Sequence, residues 1–202
     1  MSYFLPVPVT TRSVTSEARR AQVLDATIEL IAEEGFARAT FARIAGRAGL
    51  SSTRLISYHF DGKDDLVAAL VEHVVGGIGQ HVGARVMQQS TAAGRLSAYI
   101  EGVVEYADAH RAPMSALMQV AMAGAGGEST SGPSDLGHLE RILADGQAHG
   151  EMRDFDTRVM AATIQRAVET VVFQLHADPG LDCAAYAGEL VELFDRGTRA
   201  DR

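Results

Sequence analysis

The stretch that most constrains this chain is residues 40–60, TFARIAGRAGLSSTRLISYHF. Thr40 stands where an N-cap hydroxyl is wanted, and Phe41, Ile44, Ala45 and Ala48 fall on one face of the helix it would open. Gly49-Leu50 supplies a tight turn. Ser51 or Ser52 then caps a second short helix running to about Tyr58, with Leu55 and Ile56 expected to pack inward. Helices this short are not stable alone in water, so both must lean on something longer. The support lies upstream. From an expected start at Ser16, Val23, Leu24, Ala26, Thr27, Ile28, Leu30 and Ile31 recur at helical spacing, and Gly35 stops that helix. A long helix followed by two short ones across a glycine turn is a helix-turn-helix arrangement, whose second short helix can enter the major groove of DNA.

Charge supports a nucleic-acid role only locally. The 202-residue chain carries a formal net charge of −8. Residues 1–63 hold 8 Lys/Arg against 6 Asp/Glu, while the remainder holds 10 against 20. Between Gly35 and Phe60 stand Arg38, Arg43, Arg47 and Arg54 and no acid. A local basic surface decides phosphate contact more than the sum over the molecule, and the acidic remainder would turn the basic end toward DNA.

Helical spacing continues to the end of the chain. Residues 1–15, with Pro6 and Pro8, read as a loose arm, and Asp61 is placed to cap a helix from Lys63 that carries Leu66, Val67, Leu70, Val71 and Val74. Further helices are predicted over roughly 64–89, 91–109, 112–125, 134–149, 155–177 and 183–199, with a flexible loop at GAGGESTSGP, residues 124–133. No strand pattern is visible. The fold class is therefore all-α: an arm over 1–15, a helix-turn-helix domain over 16–63, and a helical-bundle domain over 64–202.

Thr40-Phe41-Ala42-Arg43-Ile44-Ala45-Gly46-Arg47-Ala48-Gly49-Leu50-Ser51 follows the pattern T-x-x-x-I-A-x-x-A-G-V-S. Tyr58-His59-Phe60, Lys63, Asp64 and Leu66 then match Y-[YH]-F-x-x-K-[DE]-x-L. On these residues the chain resembles the TetR family of bacterial transcriptional regulators, over roughly residues 16–75. Ser51 to Phe60 is nine steps where the family pattern has eight, and Arg54 falls where members commonly carry Gly. The resemblance implies phosphate contacts for Thr40, Tyr58, His59 and Lys63, with Arg43 a further candidate, and a groove-facing set of Ser51, Ser52, Thr53, Arg54 and Ser57. Arg54 is the side chain suited to bidentate contact with guanine.

The same resemblance implies a homodimer that represses from a palindromic double-stranded DNA operator and is released by a small-molecule effector. Its dimer surface is expected in the last two helices, at Ile164, Val168, Val171, Val172, Leu175, Tyr186, Leu190, Leu193 and Phe194. An effector pocket is expected from Met87, Tyr99, Met114, Met118, Met122 and Phe173, with His110, Gln119 and Gln165 as polar anchors; methionine suits a permissive lining. The run Gly76-Gly77-Ile78-Gly79 is expected to bend or break its helix and act as a hinge, because glycine costs about 1 kcal/mol against alanine in a helix.

Other chemistry finds little support. No strand precedes GGIGQHVG, so it is a poor dinucleotide loop; the histidines show no HExxH spacing, and Asp154-Phe155-Asp156 reads as a loop and cap. Neither catalytic residue, metal nor cofactor is expected. Cys183, the only cysteine, suits a reducing cytoplasm, and no signal peptide or membrane span is expected. Two alternatives stay open: a helical DNA binder without a small-molecule effector, and a helical ligand-binding protein or enzyme with an incidental helix-turn-helix.

Overall fold

A computed structural model describes residues 11–125 and 136–200, and the described residues contain helices and no strand. The expected arm lies outside them as far as residue 10, as does most of the expected loop. Helix α1 spans Thr11–Glu34, starting five residues before the expected Ser16. No Pro or Gly stands between Thr11 and Ser16 to prevent that extension. A 3-10 turn, Phe36–Arg38, leads to α2 at Phe41–Arg47, α3 at Arg54–Ser57 and α4 at Lys63–Val86. Then follow α5 at Ala92–Ala109, α6 at Arg111–Met122, α7 at Gly137–Ala148, α8 at Thr157–Glu169, α9 at Val171–Ala177 and α10 at Cys183–Thr198. Pro113 sits in the first turn of α6, where no N–H is needed, so it starts that helix rather than breaking the chain.

Three expectations about elements change. The helix predicted over 155–177 is interrupted at Thr170, whose hydroxyl donates to the Ala167 carbonyl at 2.6 Å in competition with the backbone. Asp61 does not cap α4. Its own N–H donates to the Asp65 carboxylate at 2.9 Å, and Gly62, at φ 130°, is the N-cap. Most consequential, the glycine run does not break its helix: α4 continues through Gly76, Gly77 and Gly79 to Val86. A tertiary contact explains one of these glycines. A Cβ on Gly77 would lie 2.3 Å from the Tyr106 hydroxyl oxygen, so the missing side chain lets α5 approach α4.

The apolar residues form two clusters. One joins Val23, Ile31, Ile44, Ile56 and Phe60 to Leu66, Leu70 and Val74 of α4, to Val104 and Tyr106 at the end of α5, and to Met114, Ala116 and Val120 of α6. The other joins Val82 and Val86 of α4 to Leu96 and Ile100 of α5, Ile142 and Leu143 of α7, Ile164 and Val168 of α8, and Phe194 of α10. Ile78 packs against both. The helix-turn-helix thus shares a core with α6 and half of α4, and packing does not part at residue 63. Among the described helices α4 alone is long and apolar enough to cross a bilayer, and eight of its side chains are buried within these clusters.

Candidate nucleic-acid interface

The geometry of the short helices follows from their caps and from two buried anchors. The Thr40 hydroxyl accepts the Arg43 N–H at 3.4 Å and opens α2. At its far end Gly49 takes φ 65°, and the Leu50 N–H reaches back to the Ala45 carbonyl at 2.8 Å, a left-handed stop that a side chain would strain. The Ser52 hydroxyl then accepts the Arg54 N–H at 3.1 Å and starts α3. Ile56 and Phe60 are fully buried and set the rotation of this single turn. Helical residues advance about 100° each, so Arg54 and Tyr58 stand opposite Ile56, with Leu55 and Ser57 on the flanks. Ser51, Ser52, Thr53, Arg54, Ser57 and Tyr58 are all exposed, and His59 is half-buried edge-on to Tyr58. Leu55, expected inside, is exposed: Ile56 and Phe60 take the inward direction and leave Leu55 on the flank of the turn.

α1 holds both short helices by their carbonyl ends. Arg20 donates to the His59 carbonyl at 2.9 Å and lies over the Phe60 ring at 4.4 Å, and Gln22 donates to the Ala48 carbonyl at 2.7 Å. These positioning residues carried no signal in the sequence, because their partners are 39 and 26 residues away.

The basic patch is less free than its composition suggests. Arg43 is ion-paired to Glu34, and Arg47 to Glu33 at 2.5 Å with Glu29 and Glu34 nearby. The hydrogen bond from Arg47 holds the Glu33 carboxyl below its usual range. Lys63 sits over the Phe36 ring at 4.4 Å. Arg54 takes part in no ion pair among the described residues, which leaves its fork of donors for another partner.

The expected effector pocket does not assemble. Met87 is 87% exposed, Met122 73% and Phe173 50%, so none lines an interior. Tyr99 donates to Gln165, whose amide donates to Glu169 at 2.7 Å; burial, with Glu169's charge, pushes the Tyr99 hydroxyl up to about 12. His110 caps the elbow between α5 and α6 and stacks on Tyr106 at 4.0 Å, and Met114 is buried in the first cluster. Gln119 faces the helix-turn-helix instead: its amide donates to the Ile31 carbonyl at 3.0 Å and accepts the Phe36 N–H at 3.1 Å. A cavity of about 120 Å³ does lie between α5, α6 and α9, lined by Ala107, Arg111, Ser115, Met118, Val172, Leu175 and His176. Met118 is its one residue from the expected set.

The expected dimer surface is corrected in the same way. Ile164, Val168, Val171, Leu175 and Phe194 are buried in the chain's own core and unavailable to a partner, while Val172, Tyr186 and Leu190 are half-buried. Both faces of these helices carry apolar residues, so periodicity alone could not choose the inward one. On these helices the expected Leu193 is exposed, at 61%, and so is Val159, another of their apolar positions, at 62%.

Comparison with known proteins agrees with this geometry. Residues 23–70 match the family model described as bacterial regulatory proteins, tetR family. The HTH-type transcriptional regulator BetI of Cronobacter sakazakii is 33% identical over 126 residues, covering 61% of this chain and 59% of that protein. A BetI of Chromohalobacter salexigens is 43% identical over 67 residues, a third of each chain. The aligned region thus spans less than two thirds of these curated relatives. Among solved structures, a fatty acid degradation regulator, FadR, from Bacillus halodurans superposes with TM-score 0.78 at 20% identity, covering 91% of this chain and 97% of its own. A tetR-family regulatory protein from Rhodococcus RHA1 gives 0.77 at 20%, covering 91% and 98%, a likeness of fold. The helix-turn-helix, its capped and anchored short helices and the matched family model agree over residues 23–70, which are similar to the DNA-binding domain of bacterial regulatory proteins of the tetR family.

Proposed function

We propose that the chain is a transcriptional repressor that binds a palindromic DNA operator as a homodimer and is released by a small-molecule effector. The observation that carries it is the outer face of α3: Ser52, Thr53, Arg54, Ser57 and Tyr58 exposed together on a turn fixed by Ile56 and Phe60. Arg54 meets guanine in the major groove, and Thr40, Tyr58, His59 and Lys63 meet the phosphates beside it. Arg43 joins them on exchanging Glu34 for a phosphate. The second copy packs against the apolar side chains exposed on the last helices, Val159, Phe173 and Leu193.

The effector enters at the cavity between α5, α6 and α9. Its volume of about 120 Å³ is below that of ordinary ligand pockets, about 300–1,000 Å³, so the site opens around its occupant by moving Met118. A solved neighbour, FadR from Bacillus subtilis, is described in complex with stearoyl-CoA; a ligand of that size would need a far larger opening here. The small cavity also favours a second reading, a DNA binder without a small-molecule effector.

The test is selection of duplexes from a random-sequence library by the purified protein. Palindromic enrichment, and affinity that falls steeply with salt as counterions are released, are the expected results. No palindromic enrichment, or binding indifferent to salt, refutes the proposal. Leu193→Glu should convert the dimer to a monomer in sedimentation; no change would remove that helix from the interface.

A further inference from the structure

We infer that Leu55 is a specificity residue that reads the 5-methyl group of a thymine in each operator half-site. The inference rests on the proposed DNA-binding role and concerns what the reading face recognises. Leu55 is 38% exposed although it is the most apolar side chain on the outside of α3. It cannot turn inward. Ile56 at 0% and Phe60 at 1% exposure fix the helix, and rotating Leu55 into the core would carry Ile56 into water. Its surroundings are otherwise polar: Ser52 lies three residues before it, Arg54 beside it, and Tyr58 three residues after it on the same flank. Every other exposed residue from Ser51 to Ser57 carries hydroxyl or guanidinium groups, which suit base edges and phosphates. A branched aliphatic group in that setting has one complement in the major groove. Thymine alone among the four bases presents a methyl there, next to an acceptor oxygen. Arg54, one position away, would take guanine, so the pair predicts a guanine and a thymine close together in each half-site.

The test begins with the sequence selected from random duplexes. That duplex is then made with deoxyuridine in place of thymine at each position in turn, which removes the methyl and leaves the pairing edge. At one position per half-site the wild type should lose about fourfold in affinity, and about 15-fold when both half-sites are changed, the worth of one and two buried methyl groups. Leu55→Ala should bind the thymine duplex more weakly by at least that factor and should no longer distinguish thymine from deoxyuridine at that position, while keeping the wild-type melting temperature. Wild-type binding indifferent to deoxyuridine at every position overturns the inference. So does a Leu55→Ala protein that still discriminates. Enrichment of a palindrome without methyl dependence would leave the DNA-binding role standing and remove only this one; selection of no sequence would remove both.

Discussion

Replacing Gly76, Gly77 and Gly79 of α4 one at a time should give opposite results within four residues. At Gly76 and Gly79 an added Cβ meets nothing within 4 Å. There alanine should stabilise the helix by up to about 1 kcal/mol, the difference in propensity. At Gly77 the Cβ would lie 2.3 Å from the Tyr106 oxygen, more than 1 Å inside the roughly 3.5 Å at which such atoms rest, and 3.2 Å from the ring carbon that bears it. The ring has little room to yield. It is 8% exposed, stacked on His110 at 4.0 Å and flanked by His81 at 5.8 Å. Overpacking of this kind costs about 1–3 kcal/mol, which cancels or exceeds the propensity gain. Thermal unfolding at fixed protein concentration should therefore show Gly76→Ala and Gly79→Ala melting about 2–4 °C above the parent and Gly77→Ala at or below it. In a Tyr106→Phe background, which removes the nearest atom, Gly77→Ala should recover much of its cost as a coupling energy. A Gly77→Ala protein as stable as the other two, or a cost indifferent to Tyr106→Phe, would refute the close-approach explanation.

Gln119→Ala removes the partner of the Ile31 carbonyl and the Phe36 N–H; it should cost about 1–3 kcal/mol in urea unfolding, and a neutral result would mean that water replaces the amide. Combining Glu33→Gln with Glu34→Gln frees Arg43 and leaves Arg47 with Glu29 alone, at 3.7 Å; DNA affinity should rise at low salt, and the slope of log K against log salt should steepen by about 0.9 for each arginine that reaches a phosphate. An unchanged slope would place both arginines away from the DNA. Tyr99 is held protonated to about 12 against an ordinary value of 10, so its stabilisation is complete below pH 10 and is lost as pH rises from there toward 12. Tyr99→Phe should flatten the alkaline fall in stability over that window; an equally steep fall would assign it to other groups.

The sequence made the helix-turn-helix legible because its signals are local. The Thr40 cap, the Ile44-Ala45-Ala48 face and the Gly49 turn each act within a few residues, and all three operate in the structure. What it hid depends on distant partners. Nothing near Gln119 marks it as a link to residues 83 and 88 positions away. The arginines of α2 looked free because their acids lie on the far side of Gly35, one helix back. The glycine run was judged on propensity, whereas α4 continues through it between two cores that meet at Ile78. Leu55 was misplaced because nothing local tells which of the adjacent pair Leu55-Ile56 the core takes; Ile56 and Phe60 fill it.

These long-range contacts also locate where a signal could pass. α4 is unbroken, and the helix-turn-helix is tied to the body by the shared core and by α6. On α6, Ser115 lines the cavity and its hydroxyl accepts from the Gln119 amide at 3.3 Å. That same amide bonds Ile31 at the end of α1 and Phe36 at the start of the turn leading to α2. A polar occupant that takes the Ser115 hydroxyl competes with one bond of this network, and one that displaces Met118, the residue before Gln119, moves the backbone carrying it. Either change reaches α1 and α2 without bending α4. An allosteric effect needs a differential contact between two arrangements, and in the proposed function the Gln119 amide, bonded both to Ser115 of the cavity wall and to Ile31 and Phe36, would be the contact to differ.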